Sequence, residues 1–284
     1  QGAAFVLEGF GGVLHPVAVD KEGIDVASLP EAPGALVYVT PSHQYPMGVT
    51  MTLPRRLALL SCANRNDAYI IEDDYDSDFR FTGSPLTALK GLDRGNRVLY
   101  MGTFSKCMGP GLRLGFLVLP PHLADPARRM KALMNNGHSW LEQAAMADFM
   151  LEGGYRRHLR RVRQIYLERR DALLASLEQH FGPCNVSGED AGMHLVWSIA
   201  EGLPDASEIE RRALENGSGV YAFFAGAASH FAPARADQRH LVLGYAALTP
   251  REIKAGISRL ASVLRATTPA GSRPLRPEQI GGRS

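Results

Sequence analysis

Cysteine is scarce in this sequence. The three cysteines, Cys62, Cys107 and Cys184, are an odd number, lie far apart and show no metal-ligand spacing. This pattern predicts free thiols in a reducing compartment and no bound metal. The sequence also lacks an apolar run near the roughly 20 residues that a membrane-spanning helix needs, and no signal peptide is visible. A cytoplasmic protein that does not contact a membrane is therefore expected.

An excess of charge of either sign is also missing. The formal net charge is +2, and 45% of the 284 residues are hydrophobic and 21% charged, which is near the average for globular proteins. This balance gives no support for nucleic-acid or membrane binding. One local exception is an arginine-rich helical face within residues 156–170. A solvated helix face is the favoured interpretation, and a nucleic-acid surface is the alternative.

Short apolar runs alternate with a helical pattern in the first part of the chain. Strands are expected at residues 13–19, 35–40, 69–72, 97–101 and 114–119, and a helix at 55–64. Nearly continuous apolar strands are typical of parallel sheets that are covered by helices on both faces. The sequence therefore predicts an α/β fold with a mostly parallel sheet. In such sheets, functional groups gather at the carboxyl ends of the strands.

The pattern changes after this sheet. Asp125-Pro126 predicts a helix start, and helical sequence continues to about Phe181 with a break at Gly153-Gly154. A smaller α+β part follows, with capping boxes that begin at Asp205 and Thr249. Its strands are expected at residues 193–199, 220–224 and 240–245. The predicted domains are residues 1–135 and 136–266, and the Pro-, Gly- and Ser-rich residues 267–284 predict a disordered tail.

Reactive side chains crowd the turn after the strand at 97–101. Lys106 follows Thr103 and Ser105, and Arg113 lies beyond a Gly-Pro-Gly turn. A lysine amine can form an imine with an aldehyde cofactor, while hydroxyls and a guanidinium can hold phosphate oxygens. Asp73 ends an earlier strand, where its carboxylate can pair with a pyridine nitrogen. Together these residues predict a site for pyridoxal 5'-phosphate.

Each of these residues also has a structural alternative. Lys106 can be an ordinary surface lysine, and Asp73 a solvated loop carboxylate. Tyr75, two positions after Asp73, can be a packing aromatic. Thr103 and Ser105 can simply satisfy neighbouring backbone groups.

Four segments carry a resemblance to a known family. They read VTPSHQYPMG at 39–48, IEDDYDSDF at 71–79, TFSK at 103–106 and PGLR at 110–113. They resemble the MocR/GabR group of bacterial regulators, in which a GntR-type winged helix is fused to an aminotransferase-like domain of the pyridoxal phosphate (PLP)-dependent fold type I. The resemblance implies that residues 1–135 are part of a large PLP-binding domain. Residues 136–266 would be the small C-terminal domain with its connecting helices.

The resemblance also implies a role for each matching residue. Lys106 would be the Schiff-base lysine that forms the internal aldimine, and Asp73 would pair with the ring nitrogen. Tyr75 would contact the phenolic oxygen of the ring. The phosphate would be held by Thr103, Ser105 and Arg113.

Two further assignments follow less directly from the family pattern. Gln44 is taken as the contact to the oxygen side of the ring, with His43 and Tyr45 as alternatives. No arginine stands at the usual position for clamping a substrate carboxylate. His230 is the candidate for that role, with Arg235 and Arg239 as alternatives. The chain starts at Gln1 without a helix cap, which predicts that an N-terminal part of the fold is missing.

The resemblance implies the effector-sensing domain of a MocR-type transcription regulator. The domain would bind an amino compound by exchange at Lys106, act as a homodimer and reach DNA through an absent N-terminal winged helix. The alternative is a free-standing PLP-dependent aminotransferase that acts on an amino acid and a 2-oxo acid. A cofactor-free dimerisation fragment is the third possibility for the isolated chain.

Overall fold

The computed structural model describes residues 2–83, 86–136, 139–222 and 239–265. Within these ranges the helices are α1 (Gly2–Gly9), α2 (Leu53–Arg65), α3 (Leu89–Leu92), α4 (Ser105–Met108), α5 (Pro121–Asn135), α6 (Trp140–Leu151), α7 (Gly154–Phe181), α8 (Ala206–Glu215) and α9 (Pro250–Arg265). The strands are β1 (Val19–Asp20), β2 (Gly23–Ile24), β3 (Leu36–Val39), β4 (Tyr69–Asp74), β5 (Val98–Thr103), β6 (Gly115–Val118), β7 (Asn185–Ser187), β8 (His194–Ser198), β9 (Tyr221–Ala222) and β10 (His240–Gly244). Across the described ranges, no helix is both long enough and apolar enough to cross a membrane.

The first sheet has the order β3-β4-β5-β6. The first three strands are parallel, and β6 is antiparallel to β5. The helices α2 and α3 connect consecutive parallel strands, and buried side chains of α2 pack with Ile70 and Val98 into one core. The prediction of a mostly parallel sheet with helical connections is confirmed. Its strands at 35–40, 69–72, 97–101 and 114–119 match β3 to β6.

The predicted strand at residues 13–19 is wrong. Within this segment only Val19 belongs to a strand, where it pairs with Ile24 in a two-stranded antiparallel ribbon. Pro16 explains the difference, because a proline inside a strand has no N–H to give to a ladder. Val13 is 81% exposed, and Val17 of this run is only partly buried against the core of the first sheet.

The predicted helix start at Asp125-Pro126 is also wrong. The helix α5 begins at Pro121, so Pro126 lies inside it. Pro121 already supplies the first-turn proline, whose fixed φ suits a helix start. The predicted break at Gly153-Gly154 is confirmed, since α6 ends at Leu151 and α7 begins at Gly154.

The second sheet has the order β7-β8-β10-β9, with antiparallel neighbours. The helices α7, α8 and α9 contribute Leu177, Ile209 and Ile257 to the core that covers it. Both predicted capping boxes begin helices. Asp205 accepts the N–H of Glu208 at 2.9 Å, and Thr249 and Glu252 exchange backbone and side-chain hydrogen bonds.

The arginine-rich face of α7 is only partly a solvated surface. Arg156, Arg160 and Arg161 are exposed. Arg163, by contrast, donates two hydrogen bonds to the backbone carbonyl of Asp78, and Arg170 donates to the carbonyl of Glu189 at 2.9 Å. This helix therefore ties the turn after β4 to the loop that precedes β8. The predicted tail at 267–284 lies outside the described residues.

Candidate functional site

The parallel register of β4 and β5 brings Asp73 and Lys106 to the same edge of the first sheet. Asp73 is opposite Met101 in the ladder, so it lies just before the carboxyl end of β5 at Thr103. Lys106 follows in the short helix α4. Two residues that are far apart in sequence are therefore adjacent because both strands run in the same direction.

A cavity of about 1140 Å³ opens at this edge. Polar side chains of its wall come from both sheets and from segments that follow their strands. They include Tyr38, Gln44, Tyr45, Asp73, Tyr75, Lys106, His194 and Tyr221. The predicted residues Asp73, Tyr75, Lys106 and Gln44 therefore share one cavity.

Asp73 is partly withdrawn from solvent and hydrogen-bonded. Its carboxylate accepts a hydrogen bond from the hydroxyl of Tyr38, which projects from the adjacent strand β3. Burial raises the pKa of Asp73, while the Tyr38 hydrogen bond and the positive charge of Lys106 act in the opposite direction. Burial and the Asp73 carboxylate in turn raise the pKa of Tyr38. The carboxylate is thus oriented by a neutral phenol and has a cation nearby.

Lys106 is exposed at the cavity, and a residue from the second half of the chain holds its backbone in place. Its carbonyl oxygen accepts a hydrogen bond from Tyr166 of α7 at 3.1 Å. Among the described residues, none accepts a hydrogen bond from its amine. The Lys106 amine is therefore available to a ligand, as a group that forms an imine must be.

Tyr75 is half-buried at the cavity wall. Its hydroxyl donates to the carbonyl oxygen of His43 at 3.0 Å and lies 3.3 Å from His43 Nδ1. Burial and the nearby Asp76 raise its pKa. The hydroxyl therefore remains a neutral donor, although its current hydrogen bond is to the backbone.

The three predicted phosphate ligands are not among the described residues that line the cavity. Thr103 Oγ1 accepts the backbone N–H of Ser105 at 3.2 Å, as the structural alternative for these residues expected. Arg113 is exposed and has a left-handed backbone with φ of 52°. It makes no hydrogen bond with another described residue. These groups occupy the turn beside Lys106 rather than the cavity wall.

Gln44 lies in a tight loop, and its side chain serves that loop. Its amide donates to the carbonyl of Tyr45 at 2.7 Å and accepts the N–H of Met47 at 3.0 Å. The buried Arg56 binds both ends of the loop through the carbonyls of Pro41 and Met51. Gln44 therefore borders the cavity with both ends of its amide already paired.

The candidate carboxylate clamp, His230, and its alternative Arg235 lie outside the described residues. Arg239 is described, and its guanidinium donates to the carbonyls of Ile199, Ala200 and Leu203. These contacts hold the end of β8, so they do not aim Arg239 at the cavity. In the described ranges there is no cluster of three or more His, Cys, Asp or Glu side chains that could hold a metal ion.

Sequence reasoning missed three polar residues at or beside the cavity. Tyr38 was predicted only as part of a strand, and Asp76 was given no role. His194 lines the cavity with its ring centroid 4.7 Å from that of His43. Its pKa is lowered to about 4 by burial and by His43. For Tyr38 and Asp76 the available signal was their position in or beside strands of the sheet that carries the site, whereas the strand of His194 was predicted only as part of the smaller α+β domain.

The arrangement fits the ring end of an aldehyde cofactor. The cavity wall carries an accessible primary amine (Lys106), an oriented carboxylate (Asp73) and a neutral phenol (Tyr75). An amine can hold an aldehyde carbon, a carboxylate can keep a pyridine nitrogen protonated, and a phenol can donate to a ring oxygen. No single residue is diagnostic, but the three functions occur together within one cavity.

Comparison with known proteins gives a consistent picture. The family model "Aminotransferase class I and II" matches residues 6–260. The chain is 40% identical over 278 residues to "Probable rhizopine catabolism regulatory protein MocR" of Rhizobium meliloti, covering 96% of this chain and 55% of that protein. It is 32% identical over 266 residues to "Aromatic-amino-acid aminotransferase 1" of Thermococcus litoralis, covering 88% of this chain and 61% of that enzyme. The chain thus spans little more than half the length of these relatives.

Solved structures agree in fold. A kynurenine aminotransferase from Pyrococcus horikoshii superposes with a TM-score of 0.77 at 28% identity, over 88% of this chain and 63% of that one. An archaeal alanine:glyoxylate aminotransferase gives a TM-score of 0.80 at 27% identity, over 93% of this chain and 66% of the other. The predicted α/β fold of the fold-type I class is therefore confirmed.

Proposed function

Because this chain belongs to the class I and II aminotransferase family, we propose that it is the PLP-binding, effector-sensing part of a MocR-type bacterial transcription regulator. It would act in the cytoplasm as a homodimer and bind an amino compound at the cavity. DNA would be bound by a winged-helix domain that is not part of this chain. Residues 1–135 would form part of the large domain and residues 136–266 the small one.

The observation that carries the proposal is the shared cavity of Lys106 and Asp73. The two residues are distant in sequence, and the parallel register of β4 and β5 brings them to the same cavity. The regulator interpretation is further supported by similarity to MocR along 96% of this chain, and to the transcriptional regulator TauR of Rhodobacter capsulatus at 33% identity.

Each residue would have a distinct task toward the cofactor. When bound, PLP supplies an aldehyde for amines and a ring that withdraws electrons from the attached carbon. Lys106 would hold the aldehyde carbon, and Asp73 would keep a proton on the ring nitrogen, with Tyr38 fixing the carboxylate. Tyr75 and Gln44 would lie on the oxygen side of the ring. Thr103, Ser105 and Arg113 would hold the phosphate at the turn beside Lys106, outside the described cavity wall.

A free-standing aminotransferase is the second candidate function. It is supported by the 32% identity to an aromatic-amino-acid aminotransferase and by the fold shared with several transaminases. Both candidates use Lys106 and Asp73 in the same way. The reading frame upstream of Gln1 distinguishes them, since a winged helix with a linker supports the regulator and further aminotransferase-like sequence supports the enzyme.

The decisive test of cofactor binding compares Lys106→Ala with a matched lysine control. Lys131 is an exposed lysine on α5, so Lys131→Ala changes the same charge away from the cavity. The unaltered chain and Lys131→Ala are expected to develop visible absorbance when mixed with PLP and to retain it through desalting. Lys106→Ala is expected to lose it. Retained absorbance in Lys106→Ala would contradict the proposal.

A further inference from the structure

A buried hydrogen-bonded pair, His43 and Asp76, lies directly behind the cavity wall. His43 Nδ1 is 2.7 Å from Asp76 Oδ2, and their side chains are 0% and 1% exposed. His43 Nε2 is 3.2 Å from the carbonyl oxygen of Gly188. Both ring nitrogens of His43 are therefore within hydrogen-bonding distance of an oxygen, Nδ1 of the Asp76 carboxyl and Nε2 of the Gly188 carbonyl.

This pair touches the phenol that lines the cavity. The hydroxyl of Tyr75 is 3.3 Å from His43 Nδ1 and donates to the backbone carbonyl of the same histidine at 3.0 Å. Asp76 is the next residue in the chain, and its charge raises the pKa of Tyr75 after the larger effect of burial. Other ionisable groups around Tyr75 are Asp73 and Tyr45, which also raise its pKa. His43 and Asp76 are thus close enough to define the position of the Tyr75 hydroxyl.

Glycines leave the pair no room to move. A Cβ on Gly192 would lie 2.3 Å from His43 Nδ1 and 2.5 Å from Asp76 Oδ2. A Cβ on Gly188 would lie 2.9 Å from His43 Nε2, and one on Gly48 would lie 2.4 Å from the Gly188 Cα. All three glycines have positive φ, which other residues adopt at a cost. The backbone is therefore packed against both members of the pair from two directions.

We propose that His43 and Asp76 are positioning residues that hold the Tyr75 hydroxyl at the place where it meets the ring oxygen of the cofactor. The inference rests on the proposed PLP site and extends it behind the cavity wall. The Asp76 carboxyl fixes one side of the His43 ring, the Gly188 carbonyl holds the other side, and Tyr75 is held against His43. Neither His43 nor Asp76 needs to touch the cofactor to act in this way.

The first test is a double-mutant cycle on the chain loaded with PLP. Asp76→Asn keeps the shape of the side chain and removes its charge. We expect this change to raise the dissociation constant for PLP about 10-fold, which is the effect expected from losing one hydrogen bond to a charged group. In a Tyr75→Phe background, the same change is expected to have less than about a 2-fold effect, because the hydroxyl that it positions is gone.

The second test needs no cofactor. In the chain labelled with ¹³Cζ-tyrosine, Asp76→Asn is expected to move the Tyr75 resonance and to leave that of Tyr155 unchanged. Asp78→Asn is the matched control, because Asp78 is a half-buried aspartate that accepts a hydrogen bond from Tyr155 at 3.3 Å. It is expected to move the Tyr155 resonance and not that of Tyr75. If Asp76→Asn does not fold, His43→Gln takes its place in both tests.

The outcomes separate the two proposals. If the unaltered chain retains no PLP, the proposed function fails, and the tyrosine resonances alone decide the inference. If the chain binds PLP through Lys106 but Asp76→Asn weakens binding equally with and without the Tyr75 hydroxyl, the positioning role is overturned and the proposed function stands. An unmoved Tyr75 resonance in Asp76→Asn overturns it as well.

Discussion

The buried Arg56 holds both ends of the loop that carries Gln44. Replacing this arginine tests how much its contacts contribute to the free energy of unfolding. Arg56 is 1% exposed and Glu72 is 0% exposed. The guanidinium donates to the carbonyls of Met51 and Pro41 at 3.0 and 2.8 Å. It also lies 3.8 Å from a carboxylate oxygen of Glu72. One side chain thus joins both ends of the loop to the buried acid of β4.

Arg56→Met keeps the aliphatic bulk and removes the charge and every donor. Breaking a buried ion pair by deleting one partner costs about 3–5 kcal/mol. The lower end applies here because Glu72 keeps two hydrogen bonds, from the backbone N–H groups of Leu89 and Lys90 at 2.8 Å each. We therefore expect the free energy of unfolding to fall by about 3 kcal/mol near neutral pH.

The sign of the pH dependence follows from Glu72. Burial raises its pKa in the folded chain, and the charge of Arg56 opposes that rise. Without Arg56 the folded-state pKa rises further above the unfolded value. A group with a raised folded pKa contributes stability at low pH, and this contribution is lost as the pH rises through the folded pKa. The deficit of Arg56→Met is therefore expected to shrink as the pH falls.

Urea unfolding followed by far-UV circular dichroism measures this deficit at about pH 7 and about pH 5. Arg65→Met is the matched control, because Arg65 lies on the same helix, is exposed and donates to Ser61 Oγ at 2.7 Å. It should cost less than about 0.5 kcal/mol at either pH. A deficit for Arg56→Met below about 1 kcal/mol near neutrality, or one that grows on acidification, would refute the reasoning.

The remaining predictions concern the cavity wall, the glycine packing and one helix cap. Tyr38→Phe removes a hydrogen bond that lowers the pKa of Asp73; this pKa should rise, and PLP should bind about 5-fold more weakly in an absorbance titration. Gly192→Ala places a Cβ against His43 at a φ of 82° and should cost about 3 kcal/mol in urea unfolding. Gly182→Ala, with a φ of 77° but nothing within 4 Å, should cost only about 1 kcal/mol. Asp205→Ala removes the cap of α8 and should cost about 1 kcal/mol, whereas an unchanged unfolding midpoint would contradict that capping role.

Local sequence rules succeeded where the cause of a structure lies within a few residues. The capping boxes at Asp205 and Thr249 each satisfy N–H groups within one turn, so their signal is complete in the sequence. The shared cavity of Asp73 and Lys106 was also predictable, because parallel strands put their carboxyl ends on one edge. Pro16 led to an error because the surrounding apolar pattern was given more weight than the proline. Pro126 led to one because the proline itself was taken as the helix start, although α5 begins at Pro121.

The polar network behind the cavity could not be predicted in the same way. The contact of His43 with the Gly188 carbonyl joins residues that are 145 positions apart, and the bond of Tyr38 to Asp73 joins residues 35 apart. Such pairs depend on how the two sheets pack and on the exact register of neighbouring strands. Neither quantity is encoded in a short pattern. A family motif marks such residues as candidates but does not supply their partners.

The composition of the cavity wall explains why one site can serve either a sensor or an enzyme. Asp73 comes from the first sheet and Lys106 from the helix α4 that follows its third strand, whereas His194 and Tyr221 come from the second sheet. Ser187 holds the two parts together by donating to the carbonyl of Met47 at 2.8 Å. A ligand that touches both walls binds more tightly to one relative placement of the sheets, and by linkage it stabilises that placement. In a regulator, the stabilised placement of the two sheets would be transmitted to an attached DNA-binding domain. In an enzyme, the same placement would screen Lys106 from water.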